Sequence, residues 1–458
     1  MFMNRFFTSI FIGITLLSAS GADGDLKTTT VDGVTWTYTV ISESTKTCAL
    51  GGRQGEESYY TTIATNITGA ITTPTTLGGY TVIALGRGSF RECEISSITV
   101  SPGVTRIEDK VFFDCPNLTS VSLPAGVVHI GEEAFSECPF SAITLPESLI
   151  RIGEQAFEHT HLTSITLPKN VAYLGNEDRV DEDGYIVEED DLYGDVFNDC
   201  QYLQEVKVDS ENQNYADVDG ILVTKDLKTL LYCPPVKAEV VIPEGIEVIY
   251  RNTFSESPLT HITLPSTLTA IEEGAFEEAE LVEIAIGVNI MPTLKASSTP
   301  SVTIGDNAFY YCRNLTTVTL GSNVTTIGSN AFASCSSLTD VYNYAAEPQP
   351  IDNYTFTTGW QEDEPWGPVN AATLHVRPDC IAAYQNAEGW KLFNQTVGMA
   401  ETRLGDLTGD GQVDIADVNA VINMMLGKTP QTSVGDITGD GQVDIADVNA
   451  VINLMLGK

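Results

Sequence analysis

Residues 130–149 read IGEEAFSECPFSAITLPESL, and residues 152–171 read IGEQAFEHTHLTSITLPKNV. The second stretch repeats the first at an offset of 22 residues, from its Ile-Gly pair through its Ala-Phe pair to its Ile-Thr-Leu-Pro ending. The Phe of this unit recurs along most of the chain, and most of the gaps are 22 to 24 residues. The recurring residues are Phe90, Phe112, Phe135, Phe157, Phe197, Phe254, Phe276, Phe309, Phe332 and Phe356.

A short strand is predicted after each recurring Phe. In the stretch LTSVSLP, Leu118, Val121 and Leu123 are the apolar positions, and the last two alternate with polar residues as a half-buried strand requires. Proline cannot continue a strand ladder, so the prolines that follow are expected to end the strands. They are Pro124, Pro146, Pro168 and Pro265. One such unit cannot bury its own apolar face, so a repeat near 22 residues predicts a mainly β solenoid of stacked rungs.

Six of the nine cysteines share one register with this repeat, because each lies three residues after a recurring Phe. A fixed register favours a packing role, since cysteine is among the most buried small residues. Disulfides between neighbouring rungs are the alternative, because stacked strands lie about 4.7–4.9 Å apart. Buried thiols are the preferred interpretation. The six are Cys93, Cys115, Cys138, Cys200, Cys312 and Cys335.

The net charge limits the classes of partner. The 458-residue chain has 62 acidic and 23 basic residues, a formal net charge of -39. Such a surface repels phosphate, which excludes a nucleic-acid reader and disfavours an anionic membrane surface. Cations are the natural small partners, and calcium is the first to consider.

The N-terminus predicts export. Arg5 precedes a short apolar run from Phe6 to Leu17, and small residues follow as far as Ala22. This pattern is typical of a secretory signal peptide over residues 1–22, and the run is too short to span a bilayer. The mature protein is therefore expected to be secreted or held at the cell surface, without membrane insertion.

Three insertions interrupt the repeat, near residues 176–195, 205–235 and 287–303. The first is strongly acidic and is interpreted as a solvated loop. The second reads as an atypical rung with a hairpin at Asp219-Gly220. Insertions in solenoids map to loops and often to the binding face, which is the alternative interpretation.

No catalytic motif stands out. The sequence contains no G-x-S-x-G elbow, P-loop or H-E-x-x-H. The closest histidine pair, His159 and His161, provides too few ligands for a zinc site. Extended solenoid faces typically bind, so the chain is predicted not to be an enzyme.

The chain ends with two almost identical segments, 405–428 and 435–458. Each places oxygen ligands at the positions of a calcium loop, with a glycine at position 6 for the sharp turn, the backbone carbonyl of a glutamine at position 7 and an aspartate at position 9 that would act through water. Two acidic loops in register predict two calcium ions. The candidate ligands are Asp406, Thr408, Asp410, Gln412, Asp414 and Asp417 in the first loop, and Asp436, Thr438, Asp440, Gln442, Asp444 and Asp447 in the second.

A short amphipathic helix is predicted after each loop. The first would place Ile415, Val418, Ile422 and Met425 on one face, and the second repeats this pattern 30 residues later. No entering helix fits before either loop, so each segment is a loop-helix half rather than a full EF-hand. Two matched halves can pack as a symmetric pair around a shared apolar seam.

These motifs resemble two families. The recurring AFxxC, LTSITLP and IG elements resemble BspA-like leucine-rich repeats over residues 80–398, and 405–458 are similar to a type I dockerin. The resemblance implies an N-terminal β cap region (23–79), the solenoid, a linker (399–404) and the duplicated module. The family usually has Asn or Asp at loop position 3, where this chain has Thr408 and Thr438.

The dockerin resemblance implies that calcium folds the module and that the module docks a cohesin on another protein. Family recognition falls at loop positions 10 and 11 and along the following helix. An equal alternative is that the isoleucines at position 10 pack the module's own small core. The implied docking residues are Ile415, Ala416, Ile422 and Asn423 in the first half, and Ile445, Ala446, Ile452 and Asn453 in the second.

Together these features predict an exported, non-catalytic binding or adhesion protein. Its solenoid would recognise a host or microbial surface protein or a glycan, and its dockerin-like module would provide calcium-dependent tethering. The alternative is a non-catalytic component of a cohesin–dockerin complex that degrades polysaccharides.

Overall fold

The computed structural model describes residues 26–51, 67–175, 195–287, 300–357 and 372–399, together with 407, 413–426, 428, 435, 437–438 and 442–456. The predicted signal peptide, the acidic loop but for its last residue, and most of the 287–303 insertion lie outside this part. The chain divides into two compact units, residues 1–200 and 201–458, which are described separately. No helix in the described ranges is long and apolar enough to cross a membrane.

Unit 1 contains a nine-stranded sheet of order β1-β2-β3-β6-β8-β10-β11-β13, with β5 on β6, and a three-stranded sheet β4-β7-β9. The first three strands are antiparallel, and every later step along the main path is parallel, as stacked rungs require. The strands are β1 Leu26–Val31, β2 Val34–Ser42, β3 Thr47–Leu50, β4 Gly69–Thr72, β5 Thr76–Leu77, β6 Tyr80–Leu85, β7 Ile95–Thr99, β8 Arg106–Ile107, β9 Ser120–Ser122, β10 His129–Ile130, β11 Arg151–Ile152, β12 Ser164–Leu167 and β13 Tyr173–Leu174.

Unit 2 contains a seven-stranded sheet β15-β16-β17-β19-β21-β23-β25, a pair β18-β20 and a five-stranded parallel sheet β22-β24-β26-β27-β28. Its strands are β14 Glu205–Val208, β15 Tyr215–Val218, β16 Ile221–Thr224, β17 Thr229–Tyr232, β18 Glu239–Val241, β19 Val248–Ile249, β20 His261–Thr263, β21 Ala270–Ile271, β22 Glu283–Ile286, β23 Val302–Ile304, β24 Thr317–Leu320, β25 Val324–Ile327, β26 Asp340–Asn343, β27 Thr373–Val376 and β28 Gln395–Gly398. The helices are α1 Ile381–Asn386, α2 Ile415–Met425 and α3 Ile445–Met455, with short 3-10 turns at Pro378–Cys380 and Trp390–Leu392.

The recurring phenylalanines form the core of each unit, as the repeat predicts. All ten are buried, and the rings of successive rungs stack with centroids 4.9 to 6.0 Å apart. Stacking runs from Phe90 to Phe197 in unit 1 and from Phe254 to Phe356 in unit 2. Each ring fills the space above the previous one, so no rung buries its apolar side chains alone.

Close approach between rungs explains the Ile-Gly pair of the repeat. A Cβ on Gly153 would lie 2.5 Å from the Glu132 nitrogen, and one on Gly131 would lie 2.6 Å from the Asp109 nitrogen. A side chain at either position would therefore force the backbones of neighbouring rungs apart. Glycine is needed here for space, because neither residue has a positive φ.

The cysteines are free thiols, and all nine are buried. Five of the six in register with the repeat donate to the carbonyl oxygen of the recurring Phe one rung earlier; Cys115, for example, donates to the Phe90 carbonyl oxygen across 3.1 Å. The preference for buried thiols over disulfides is confirmed. Burial also raises the pKa of Cys93 and Cys200 to about 12.

The strand prediction fails at one rung. Residues 141–145, which precede Pro146, form no strand, although β9 and β12 occupy the matching positions of other rungs. Phe140 takes the place of the usual Leu, and its ring lies edge-on to Phe135 at 5.8 Å. We attribute the absence of strand pairing at residues 141–145 to the larger side chain of Phe140.

The predicted hairpin in the atypical rung is present. Strands β15 and β16 are antiparallel, with Val218 opposite Ile221. Asp219 and Gly220, the two residues between them, have φ values of 50° and 80°. Positive φ at both central positions matches the two-residue turn whose twist suits a hairpin.

Candidate calcium-binding and docking module

Two helices with matching N-termini organise the C-terminal module. Helix α2 starts after the N-cap residue Asp414, whose side chain accepts a hydrogen bond from the Ala416 nitrogen across 2.7 Å. Asp417 completes a capping box by accepting from the Asp414 nitrogen at 2.8 Å. Helix α3 repeats both contacts through Asp444 and Asp447. Each predicted loop therefore runs directly into a capped helix.

The closing aspartates of the two loops are fully buried. The second oxygen of Asp417 accepts from the Leu407 nitrogen across 2.8 Å, which ties the start of the loop to its end. In the second half, Asp447 accepts from both the nitrogen and the hydroxyl of Thr438, at 2.9 and 3.0 Å. Each loop is thus closed by a carboxylate whose orientation the backbone holds.

Asp447 is held in its charged form. Burial alone raises the pKa of this carboxyl group, but the backbone donors at Asp444 and Thr438 outweigh it and hold the pKa below its usual value. A buried charge is costly unless it is paired or bound to a metal. The backbone at Ile437 also donates to Asp447, so protein donors already occupy most of the four or so lone-pair sites of this carboxylate.

The predicted calcium ligands divide between described and undescribed residues. Asp414, Asp417, Thr438, Gln442, Asp444 and Asp447 are described; Asp406, Thr408, Asp410, Gln412, Asp436 and Asp440 lie outside the described residues. Among the side chains that the structure describes, no group of three or more His, Cys, Asp or Glu residues could hold a metal ion. The described oxygens nevertheless fit calcium, which prefers carboxylate, carbonyl and hydroxyl ligands.

Helices α2 and α3 share an apolar seam that is separate from the solenoid core. Val421 and its counterpart Val451 are fully buried, and Val418 and Val448 are nearly so. Because these valines of one half meet the seam as their counterparts do, the predicted symmetric packing of the two helices is confirmed.

The predicted helix face is wrong at one position in each half. Ile415 is 62% exposed and Ile445 is 60% exposed, whereas Val421, which the predicted face omits, is buried. Asp417, two residues after Ile415 and so on nearly the opposite side of the helix, is buried instead. On a helix of 3.6 residues per turn, Ile415 lies about 120° from Val421 and so falls outside the seam.

The other predicted docking residues lie beside these isoleucines. Ala416 and Ala446 are exposed, as is Asn453, while Ile422, Asn423 and Ile452 are half-buried. Ile422 and Ile452 also contact the seam. Each half thus presents an exposed Ile-Ala pair next to its capped loop.

Comparisons with known proteins agree with both parts of this architecture. The family model of the BspA type leucine rich repeat region matches six copies over residues 83–178 and 230–358. The model of the dockerin type I domain matches residues 404–456. A search of curated protein sequences found no match.

A comparison with solved structures found similar chains. The pneumococcal vaccine antigen PcpA is 19% identical with a TM-score of 0.50, and the alignment covers 81% of this chain and 98% of that one. A leucine-rich repeat protein from Bacteroides ovatus is 18% identical with a TM-score of 0.44, covering 81% and 99% of the two chains. One from Eubacterium ventriosum is 17% identical with a TM-score of 0.44, covering 82% and 86%.

Both matched families are non-catalytic modules. Leucine-rich repeats mediate binding, and type I dockerins bind calcium and dock cohesins. Proteins with these modules are typically extracellular or on the cell surface. The stacked Phe rungs, the paired loop-helix halves and the two family matches lead to one assignment: the chain contains a BspA-type leucine-rich repeat region, followed by a type I dockerin domain.

Proposed function

We propose that this chain is an exported, non-catalytic binding protein whose dockerin domain attaches it to a cohesin-bearing partner in a calcium-dependent manner. The solenoid then displays a surface that recognises a protein or a glycan. The observation that carries the attachment is the exposure of Ile415 and Ile445. An isoleucine that the module does not need for its own core is available to a partner.

Two calcium ions would hold the module in its docking form. We assign them to the twelve oxygen-bearing residues of the two loops, with Asp417 and Asp447 closing the two sites. Calcium would neutralise the loop carboxylates, which otherwise repel one another. The backbone donors to Asp417 and Asp447 hold these two carboxylates in place before any cation binds.

The two halves offer equivalent docking faces. Each face comprises an Ile-Ala pair and an Ile-Asn pair that begins seven residues later on the same helix. The pairs are Ile415-Ala416 with Ile422-Asn423, and Ile445-Ala446 with Ile452-Asn453. The half-buried Ile422 follows the exposed Ile415 about two turns later on nearly the same side of the helix, so both isoleucines are on the proposed face. We propose the domain division as residues 23–79, 80–398 and 405–458, following a signal peptide at 1–22.

A component of a polysaccharide-degrading complex is the second candidate, and the dockerin match favours it because dockerins attach proteins to cohesin scaffolds. The two candidates differ in what the solenoid binds rather than in how the chain is attached.

The test of attachment is capture of the full-length protein by a panel of immobilised cohesin modules. We expect at least one cohesin to retain the chain in millimolar calcium and to release it in excess chelator. Retention that is equal in calcium and in chelator, or no retention by any cohesin, would contradict the proposal.

A further inference from the structure

The outer face of the five-stranded sheet in unit 2 carries two rows of side chains. Strands β22, β24, β26, β27 and β28 pair in parallel with their residues in register, so equivalent positions lie side by side about 4.8 Å apart. The inner positions fill the core. The polar row is Glu283, Thr317, Asp340, Thr373 and Gln395, and the second row is Ala285, Thr319, Tyr342, His375 and Val397.

Three side chains on this face form a fixed group. The rings of Tyr342 and His375 stack with centroids 4.3 Å apart and an interplanar angle of 14°. His375 Nε2 donates to Asp340 Oδ1 across 2.7 Å, and the Thr339 hydroxyl donates to Asp340 Oδ2 across 2.9 Å. The group stays accessible, because the side chains of His375 and Asp340 are 19% and 35% exposed. It is held in place before any ligand arrives.

The solenoid does not need rings at these positions. In the three-stranded sheet of unit 1, the outward residues are small hydroxyl side chains: Ser97 and Thr99 on β7, and Ser120 and Ser122 on β9. A stacked ring pair in place of serine and threonine adds nothing to the core beneath it. Such a departure from a repeat points to recognition rather than to packing.

Short side chains lie next to Tyr342 on the side away from His375. One face of the Tyr342 ring stacks on His375, strands β24 and β22 place Thr319 and Ala285 at the matching register positions on the other side, and Tyr342 itself is half-buried. We name Ala285, Thr319, Tyr342, His375 and the adjacent Asp340 the Tyr342 shelf. The aromatic ring of Tyr342 stands next to the short side chains of Thr319 and Ala285. The neighbouring row supplies carboxylate, hydroxyl and amide groups.

We propose that the Tyr342 shelf binds a neutral polysaccharide chain. A sugar ring has an apolar C–H face that packs on an aromatic ring, while its hydroxyl groups need acceptors and donors such as Asp340, Thr317 and Gln395. The net charge of -39 disfavours sulfated or carboxylated chains. The inference rests on the proposed binding function and names a site and a ligand class for it.

The shape of the surface favours a glycan over a protein. Five strands span roughly 20 Å, and only two rows of side chains lie across that length. A stable protein interface needs about 800 Å² on each partner and a buried aromatic anchor surrounded by close packing. A narrow strip with one half-buried tyrosine ring matches a chain of sugar rings.

Native gels cast with soluble neutral polysaccharides test the proposal directly. The full-length protein is run in xyloglucan, glucomannan and amylopectin, and in polygalacturonate as the charged comparison, beside Tyr342→Ala, Tyr342→Phe and Tyr173→Ala. Tyr173 is the matched control, since it is an exposed tyrosine (52%) on a strand of unit 1. We expect retardation in at least one gel, weakened about tenfold by Tyr342→Ala, as loss of a stacked ring predicts, but kept by Tyr342→Phe and Tyr173→Ala.

Several outcomes would overturn the inference: no retardation in any neutral gel, equal retardation of wild type and Tyr342→Ala, or retardation only by carboxylated polygalacturonate. A partner protein that requires Tyr342 while the neutral gels have no effect would also overturn it. Thermal melting shows whether Tyr342→Ala is folded, and His375→Ala provides a second variant of the shelf. Cohesin capture of the same samples separates the two proposals, because attachment persists when only the shelf assignment is wrong.

Discussion

The thiol of Cys138 donates a hydrogen bond to the carbonyl oxygen of Phe112, one rung back, across 3.0 Å. The same contact recurs from Cys200 to Phe157 and from Cys312 to Phe276. The residue that fills the core and the residue that ties neighbouring rungs together thus belong to one motif, the AFxxC of the repeat. This explains why the cysteines keep their register without forming disulfides.

Removal of one core ring should destabilise unit 1 strongly. Phe135→Ala removes a fully buried side chain that stacks on Phe112 and Phe157. We expect a loss of about 3–5 kcal/mol in the free energy of unfolding, from lost burial and the remaining cavity. Urea denaturation measures it, with exposed Tyr173→Ala as the control at about 0.5 kcal/mol or less. A loss below 1 kcal/mol for Phe135→Ala would contradict the stacked core.

Replacement of a thiol should cost less than replacement of a ring. Cys138→Ser keeps a donor that can reach the Phe112 carbonyl, but it buries a hydroxyl where a less polar thiol lay. The expected loss is roughly 1–3 kcal/mol, within the range for a buried polar group that is only partly satisfied. Urea denaturation beside Phe135→Ala gives the comparison. A Cys138→Ser variant less stable than Phe135→Ala would show that the thiol contact has been underestimated.

The native thiols should resist alkylation. All nine cysteines are buried, and burial raises the pKa of Cys93, Cys200, Cys233 and Cys312 to about 12. The thiolate is the reactive form, so raising the pH from 7 to 9 should leave labelling negligible in the folded protein. Mass spectrometry after brief labelling checks this, with a urea-denatured sample as the fully labelled control. Complete native labelling of Cys115 and Cys138 would show that the core is open.

Stability should fall at alkaline pH for the same reason. In the unfolded chain these thiols ionise near their ordinary pKa of about 8.5, whereas the folded pKa of Cys93 or Cys312 is about 12. The unfolded state therefore binds fewer protons above that pH, so the free energy of unfolding decreases as pH rises from about 9 toward 12. In urea titrations at pH 8, 9 and 10, Cys93→Ala should show a smaller decrease in the free energy of unfolding with rising pH than the wild type. An unchanged slope would mean that other groups cause it.

Calcium should stabilise the dockerin domain. A cation at about 100 times its Kd adds about 2.7 kcal/mol per site to a folded module. We expect circular dichroism of the full chain to show an α-helical transition that moves to higher temperature in calcium and to lower temperature in chelator. Asp417→Asn combined with Asp447→Asn should abolish the shift, while Asp379→Asn, an exposed control outside the module, should keep it. The same melting curve in chelator and calcium would refute the calcium assignment.

The sequence predicts the parts of the fold that follow a local rule. The Phe register, the thiol burial and the Asp219-Gly220 hairpin each depend on residues within one rung, and spacing is enough to find them. The strand missing at 141–145 follows from a single larger residue, Phe140, which the repeat pattern treats as equivalent to leucine. A pattern of apolar positions does not encode the size of the side chains.

The candidate sites depend on side-chain contacts and exposures that the spacing of residues along the sequence does not specify. The helical pattern places Ile415 in the apolar face, but in the structure the polar Asp417 is buried at the start of the helix and Ile415 is exposed. Tyr342 and His375 stack although 33 residues separate them, and a gap longer than the repeat lies between their strands. No period predicts that register, so the shelf is visible only in the structure.

The equivalence of the two dockerin halves leads to the central measurement. Because Ile415 and Ile445 are exposed, changing either Ile-Ala pair to Asp-Asp should leave the melting temperature in calcium close to that of the wild type. Either remaining half should still dock, so each double variant should keep nearly full affinity. The quadruple variant lacks both faces and should lose binding.

Cohesin affinity of the four proteins, measured by calorimetry in calcium together with their melting temperatures, tests this account most directly. The account predicts near-wild-type Kd for both double variants, no detectable binding by the quadruple variant, and unchanged melting for all. A large drop in melting temperature for the Ile415→Asp, Ala416→Asp variant would instead assign Ile415 to internal packing, and full binding by the quadruple variant would place docking elsewhere; either result would contradict the account.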